Sequence, residues 1–343
     1  MRSEPHHGAP AADAERVAIV GEGQMGLVIA AMLASRGTPV RLWAREAEVV
    51  AAINRDHRNP LFLPDANLSP AITATGDIAA MDDLAVLLVV APAQHLGKVL
   101  AGLSDRPRDL VLCSKGIEAG TGRLMADVAK AALPQAEIAV LSGPTFAHEV
   151  AAGLPTAVTL ACGGGEAQWA RLAGALSRPM LRPYYSDDVV GAEIGGAVKN
   201  VLAIACGVVD GLGLGQNARA ALIARGYAEM TRFGLALGAR AETLAGLCGL
   251  GDLVLTCSST ASRNFALGKA LGAGMSAAEA LSGKLSVAEG AHTAPVLADL
   301  ASQRGIAMPI VDAVARLLAG QAPAQQVVAE LLARPLRAEG ELA

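Results

Sequence analysis

Six lysines occur in the 343-residue chain, and two of them stand where an ammonium group is costly. Lys199 lies in Gly195-Gly196-Ala197-Val198-Lys199-Asn200-Val201-Leu202-Ala203-Ile204-Ala205, a helical stretch that is apolar on every face. Such a helix is buried, and a buried ammonium is unfavourable unless it is paired or used. Desolvation lowers a lysine's pKa toward neutrality, which makes Lys199 a candidate general acid or base. The plain alternative is a lysine whose stem snorkels to the surface. Asp252, in Gly249-Leu250-Gly251-Asp252-Leu253, is a carboxylate among apolar neighbours, and a cation such as Lys199 would satisfy it. Lys115 follows a strand in Cys113-Ser114-Lys115-Gly116, where position and charge suit a phosphate or a reacting oxygen.

Two further segments are suited to anions. In Thr256-Cys257-Ser258-Ser259-Thr260-Ala261-Ser262-Arg263-Asn264 a cluster of hydroxyls leads into a helix beside a forked cationic donor, which is a natural phosphate cradle. An ordinary N-cap with a surface arginine is the alternative. At the other end of the chain, an apolar run leads directly into Gly21-Glu22-Gly23-Gln24-Met25-Gly26 and then a helix. A lone G-x-G-x-x-G is weak, but strand before and helix after make this a dinucleotide loop. Gly21 allows the tight turn, Gly23 lets backbone approach the pyrophosphate, and Gly26 lets the helix pack on the strand. The next strand ends at Arg45-Glu46. An arginine there pairs with the 2′-phosphate of NADP and an acidic residue with the ribose of NAD. Arg45 tilts the reading toward NADP, with Glu46 as the competing contact. The loop Ser142-Gly143-Pro144-Thr145-Phe146-Ala147 ends a later strand on the same sheet edge.

The elements that must carry these residues alternate. Apolar runs at 16–20, 39–43, 71–75, 84–91, 109–114 and 137–141, extended by 156–161 and 181–185, read as strands buried on both faces of a parallel sheet. Helices are expected at 25–36 and 121–132. Beyond residue 186 strand signals stop, and helices are expected at 189–209, 218–237, 262–271, 276–282, 293–304 and 310–319. The fold class is α/β: a Rossmann-type, doubly wound, mostly parallel sheet followed by an all-helical domain. The expected organisation is a disordered leader at 1–14, a dinucleotide domain at 15–190 and a helical substrate domain at 191–343.

Composition narrows the classes. A net charge of −4 without a polybasic block argues against nucleic acid as a partner. The chain is 52% hydrophobic, yet no run of about 18 apolar residues is free of both charges and breakers, so no membrane span is expected; residues 200–209 are too short. Five cysteines with no C-x-x-C pair favour a reducing compartment, and the cytoplasm is expected. The six histidines never fall at metal-ligand spacing, so no metal is expected. Low aromatic content and Ala-rich helices are compatible with a homodimer. Among dehydrogenases of this architecture, a carboxylated hydroxy acid is an alternative substrate, and a dinucleotide-sensing binding protein is the alternative of another class.

Taken in order, the glycine loop, Asn59-Pro60-Leu61-Phe62-Leu63-Pro64, Ser114-Lys115-Gly116, Ser142-Gly143-Pro144-Thr145-Phe146-Ala147, Val198-Lys199-Asn200, Gly249-Leu250-Gly251-Asp252-Leu253, Ser262-Arg263-Asn264 and Val287-Ala288-Glu289-Gly290 form an ordered set. Over residues 16–332 the chain resembles the bacterial NAD(P)-dependent glycerol-3-phosphate dehydrogenases. The resemblance implies that Lys199 is the catalytic proton donor and acceptor. It also implies that Lys115, Gly143, Thr145, Asp252, Ser262, Arg263 and Asn264 surround glycerol 3-phosphate or dihydroxyacetone phosphate. Lys115, Ala147, Arg263, Val287 and Glu289 would touch the cofactor. Gln24-Met25 departs from the small residue and aromatic usual in the family, and Met25 is soft enough to fill the aromatic's place. The implied pathway role is supply of glycerol 3-phosphate for phospholipid synthesis.

Overall fold

The structure, a computed structural model, describes residues 17–21, 23–64, 66–282 and 288–335. The expected leader and Val287 lie outside them. Eight strands form one sheet: β1 (Val17–Val20), β2 (Val40–Trp43), β3 (Ile72–Thr75), β4 (Val86–Val89), β5 (Asp109–Leu112), β6 (Glu137–Ser142), β7 (Thr156–Cys162) and β8 (Leu181–Ser186). Their order is β3-β2-β1-β4-β5-β6-β7-β8. All neighbours are parallel except β6 and β7, which pair antiparallel with Leu141 opposite Leu160. The central strands β1, β4 and β5 are buried along their whole length, as sheets covered on both faces require.

The helices in this half are α1 (Gln24–Leu33), α2 (Ala47–Asp56), α3 (Leu96–Leu100), α4 (Met125–Ala132), α5 (Ala147–Ala151) and α6 (Gly165–Leu176). The helix expected from residue 121 starts only at Met125. Thr121 and Arg123 instead bond back to Glu118, and Ile117 bridges Leu124, so a turn occupies 118–124. At the glycine loop, a Cβ on Gly26 would lie 2.1 Å from the Gly21 carbonyl oxygen. Only glycine allows α1 to sit this close to β1.

After β8 the chain is helical: α7 (Val189–Gly211), α8 (Gly215–Ala236), α9 (Ala241–Ala245), α10 (Asp252–Thr256), α11 (Arg263–Gly272), α12 (Ala277–Leu281), α13 (Glu289–Gln303), α14 (Pro309–Leu318) and α15 (Ala324–Leu332). Asp188 sets the change of direction. Its Oδ1 accepts the Gly191 N–H at 2.8 Å, capping α7, and its Oδ2 accepts the Arg240 N–H at 2.8 Å. α7 covers the helix expected at 189–209 and runs two residues further, so the ten residues 200–209 weighed as a membrane span are only part of it. α7 has 23 residues and is long and apolar enough to cross a membrane, but its most apolar window is 89% buried inside the protein. It is the core helix of this half. Phe233 and Phe265 pack in the same cluster, and each such burial stabilises by roughly 1.5–3 kcal/mol. α7 crosses α11 at backbone contact: a Cβ on Gly207 would lie 2.1 Å from the Phe265 carbonyl, and one on Gly268 1.9 Å from that of Ile204. This crossing brings the start of α11, with Arg263, beside the middle of α7, with Lys199.

Candidate active site

A cleft of about 690 Å³ runs from the carboxyl ends of the strands to α7, α11 and α13. That volume is within the range of small-molecule and cofactor sites. Gly21, Gly23, Gln24, Met25 and Arg45 line its sheet side, together with Lys115, Gly143 and Thr145. Lys199, Asn200, Arg263, Asn264 and Glu289 line its helical side. The loops beyond the strands and the C-terminal helices thus meet at one place.

Beneath the wall lies an ion cluster. Asp252 is 1% exposed, and its two oxygens are taken by two ammonium groups. Lys199 Nζ donates to Oδ1 at 2.6 Å, and Lys115 Nζ donates to Oδ2 at 3.0 Å. Thr256 Oγ1 accepts from Lys199 Nζ at 3.1 Å and donates to Asp252 Oδ1 at 3.2 Å. One carboxylate cannot fully hold two ammonium groups. Burial pushes Lys199 down to about 8, with the Asp252 carboxylate opposing and the neighbouring Lys115 charge adding to the fall. Burial is the largest single influence on Lys115 and acts the same way, but the Asp252 charge and hydrogen bond, with smaller contributions from Cys113 and Lys199, together raise its pKa. Lys115, whose side chain is 21% exposed, is the less enclosed of the two ammonium groups, and the two are pushed in opposite directions. Burial works against ionised Asp252, yet Lys115 and Lys199 hold it below the usual carboxylate range. Near the rim, burial pushes Glu289 up to about 7, despite the Arg263 charge and the Ala93 N–H.

The matched family models cover both halves. Residues 16–168 match the NAD-dependent glycerol-3-phosphate dehydrogenase N-terminus, and residues 188–329 match the corresponding C-terminus. The chain belongs to the NAD-dependent glycerol-3-phosphate dehydrogenase family. A Novosphingobium aromaticivorans protein named glycerol-3-phosphate dehydrogenase (NAD(P)+) is 70% identical over 326 residues, covering 95% of this chain and 98% of its own. An Erythrobacter litoralis protein of the same name is 69% identical, with 95% and 98% covered. The crystal structure of a glycerol-3-phosphate dehydrogenase from Coxiella burnetii superposes with a TM-score of 0.88 at 40% identity, covering 93% of this chain and 98% of that one.

With the family in hand, the sequence-derived residues sort by position. Gly26 packs against the glycine turn rather than lining the cleft. Ala147 opens α5 and is not on the cleft wall. Ser262 is 5% exposed and caps α11, its Oγ accepting the Phe265 N–H at 3.2 Å. Asn264 reaches the wall but is already engaged: its Nδ2 donates to Asn200 Oδ1 at 3.0 Å, and its Oδ1 accepts the Gly290 N–H at 2.9 Å. Arg263 is exposed toward the cleft, one residue past the cap, where the α11 N-terminal amides add to its charge. Arg45 bonds to Glu46, so the two competing ribose contacts are paired with each other. Sequence reasoning gave Asn200 no role of its own and placed Thr256 with the hydroxyls before α11, not beside Lys199. Thr256 stands four residues after Asp252, and that i, i+4 spacing was its available signal.

The glycine turn fits a dinucleotide. A Cβ on Gly23 would meet no protein atom within 4 Å, which leaves the space in front of α1 open. Gly23 is also the N-cap of α1 with no side chain to occupy its amides, and an N-terminus of this kind receives phosphates.

Proposed function

We propose that this chain is an NAD(P)-dependent sn-glycerol-3-phosphate dehydrogenase that reduces dihydroxyacetone phosphate to glycerol 3-phosphate. The observation that carries the reading is the buried Lys199–Asp252–Lys115 cluster, set where the glycine turn and the helical half share one cleft. The names of the close relatives support it. When bound, the nicotinamide cofactor supplies a hydride to the C2 carbonyl. Lys199 gives its proton to the oxygen that gains charge, and in the reverse direction takes it back. Asp252 and Thr256 hold the Lys199 ammonium in place. Lys115 sets a fixed positive charge beside the same oxygen, which favours the charged transition state over the neutral ketone.

In this reading Arg263, Asn264 and the α11 N-terminus with Ser262 hold the phosphate, and Gly143 and Thr145 close the substrate side. Binding energy remote from C2 then fixes the reacting carbon. Gly21, Gly23, Gln24, Met25 and the start of α1 hold the pyrophosphate, while Arg45 favours NADP over NAD. Arg263 and Glu289, both on the cleft wall, would touch the cofactor; Ala147, assigned to the cofactor from the resemblance, is off that wall, and Val287 lies outside the described residues. On this reading 15–190 is mainly the dinucleotide domain and 191–343 mainly the substrate domain, with residues of both halves meeting at one cleft. All five cysteines are free, which supports a reducing, cytoplasmic setting, and the product serves glycerophospholipid synthesis.

The test is loss of reduced-nicotinamide absorbance with purified protein, comparing dihydroxyacetone phosphate with a set of carboxylated 2-oxo acids. Turnover restricted to the phosphorylated ketone is expected. Turnover restricted to the acids would overturn the substrate assignment.

A further inference from the structure

Glu193 takes no part in the chemistry above, yet it is a carboxyl group buried where the two halves meet. It lies on α7, the helix that carries Lys199, and is 6% exposed. Its Oε1 accepts the Ala126 N–H at 2.7 Å. Ala126 is in the first turn of α4, a helix of the sheet half whose N-cap, Leu124, makes no side-chain cap. The acceptor that the start of α4 lacks locally is therefore supplied from α7. Glu193 Oε2 is buried without a hydrogen-bond partner among the described residues. Burial pushes the carboxyl up to about 8, with the Ala126 N–H opposing and the Asp127 charge adding to the rise. Below that value Glu193 is the neutral acid, the form that burial favours.

The connection that Glu193 secures is the one that carries Lys115. It runs from β5 through residues 113–124 to α4, and it lies against the helical half. Ile117 is fully buried in the core of that half, and Leu124 packs on the same cluster. A Cβ on Gly116 would lie 3.3 Å from Thr293 Oγ1, and one on Gly122 2.9 Å from Leu300 Cδ2, both residues of α13. Glu193 holds the far end of the connection through Ala126, and Lys115 at its near end crosses to Asp252. We propose that Glu193 is a positioning residue for the reaction: by capping α4 from α7 it fixes the 113–124 connection, so that Lys115 shares Asp252 with Lys199. The proposal rests on the acid–base part of the proposed function, and not on which ketone is reduced. Lys115 depresses Lys199 and competes with it for the same carboxylate. A loosened connection withdraws that like charge and leaves more of Asp252 to Lys199, so the Lys199 titration moves up.

The test is kcat/KM against pH in both reaction directions, with hydrogen–deuterium exchange as a readout free of turnover. Glu193→Ala should lower kcat/KM for the ketone about tenfold. It should also move the midpoint, about 8 in the wild type, up by roughly half to one pH unit. Glu193→Gln keeps the accepting oxygen and the shape of the neutral acid, and it should retain the wild-type rate and midpoint. Peptides spanning 115–126 should lose protection in Glu193→Ala and keep it in Glu193→Gln, with exchange elsewhere unchanged. A merely structural role would lower the melting temperature and leave the midpoint of the folded protein where it was. An unmoved midpoint, or unchanged exchange over 115–126, in folded Glu193→Ala would overturn the proposal. So would loss of the midpoint in Glu193→Gln, which would make Glu193 the titrating group. If Glu193→Ala does not fold, Glu193→Leu, which fills the space without accepting a hydrogen bond, carries the same test. Wild-type protein with no midpoint near 8, or with no turnover of any ketone, would sink the acid–base reading alone, and the exchange comparison would still decide the positioning role.

Discussion

Replacing Asp252 by Asn keeps the size of the side chain and removes the charge that two lysines share. In the native cluster Asp252 sits 2.6 Å from Lys199 and is what holds that ammonium as high as about 8. At an effective dielectric of about 20, unit charges about 4 Å apart interact by about 4 kcal/mol. At about 1.4 kcal/mol per unit, losing the carboxylate lowers Lys199 by about two to three pKa units. The sign follows from the chemistry. Reduction needs protonated Lys199, so kcat/KM for the ketone should fall as pH rises through about 8 in the wild type. Oxidation of glycerol 3-phosphate needs neutral Lys199, so its kcat/KM should rise through the same value. In Asp252→Asn both limbs should move to lower pH by about two to three units. Near pH 7.5 the protonated fraction then falls by roughly two orders of magnitude. The assay is initial rate against pH in both directions, with kcat/KM reporting the free enzyme. Limbs that stay near 8 in Asp252→Asn would refute the assignment of the titrating group.

Arg263→Ala should raise the KM for dihydroxyacetone phosphate by about one to two orders of magnitude, while the weak kcat/KM for unphosphorylated dihydroxyacetone stays unchanged. Equal losses on both ketones would remove Arg263 from the phosphate. Arg45→Ala should lower kcat/KM for NADPH about tenfold and leave NADH nearly unaffected; a uniform fall would mean that Arg45 does not read the 2′-phosphate. Gly26→Ala drives a methyl into the Gly21 carbonyl, 2.1 Å away, and should cost about 1–3 kcal/mol of stability. Chemical denaturation measures this, and an unchanged midpoint would contradict the close packing of α1 on β1.

The sheet was readable because β1 and β4 are apolar at every position and β5 is apolar at all but Asp109. Lys199 was readable because a single ammonium interrupts a helix with no polar face. Lys115 was placed correctly at a strand end, but nothing local announces that it reaches the same carboxylate as Lys199, since it bonds Asp252 across 137 positions of sequence. The reversed direction of β7 was equally hidden, because strand composition does not encode the direction of the partner. α2 was missed because only Val49 and Ile53 are buried along it, too few for a clear period. The α7–α11 crossing had a visible mark in the paired glycines Gly207 and Gly211, and Gly268 and Gly272, each four apart. Asn264 shows the opposite case: its type suits phosphate, yet much of its hydrogen-bonding capacity ties α7 to α13.

The most direct measurement pairs wild type with Lys199→Ala, following NADPH oxidation and glycerol 3-phosphate formation in one reaction with dihydroxyacetone phosphate. The account predicts one glycerol 3-phosphate per NADPH consumed in the wild type. In Lys199→Ala it predicts kcat lower by roughly 10²–10⁴-fold, with unchanged affinity for NADPH. Wild-type turnover in Lys199→Ala, or NADPH consumption without that product, would contradict it.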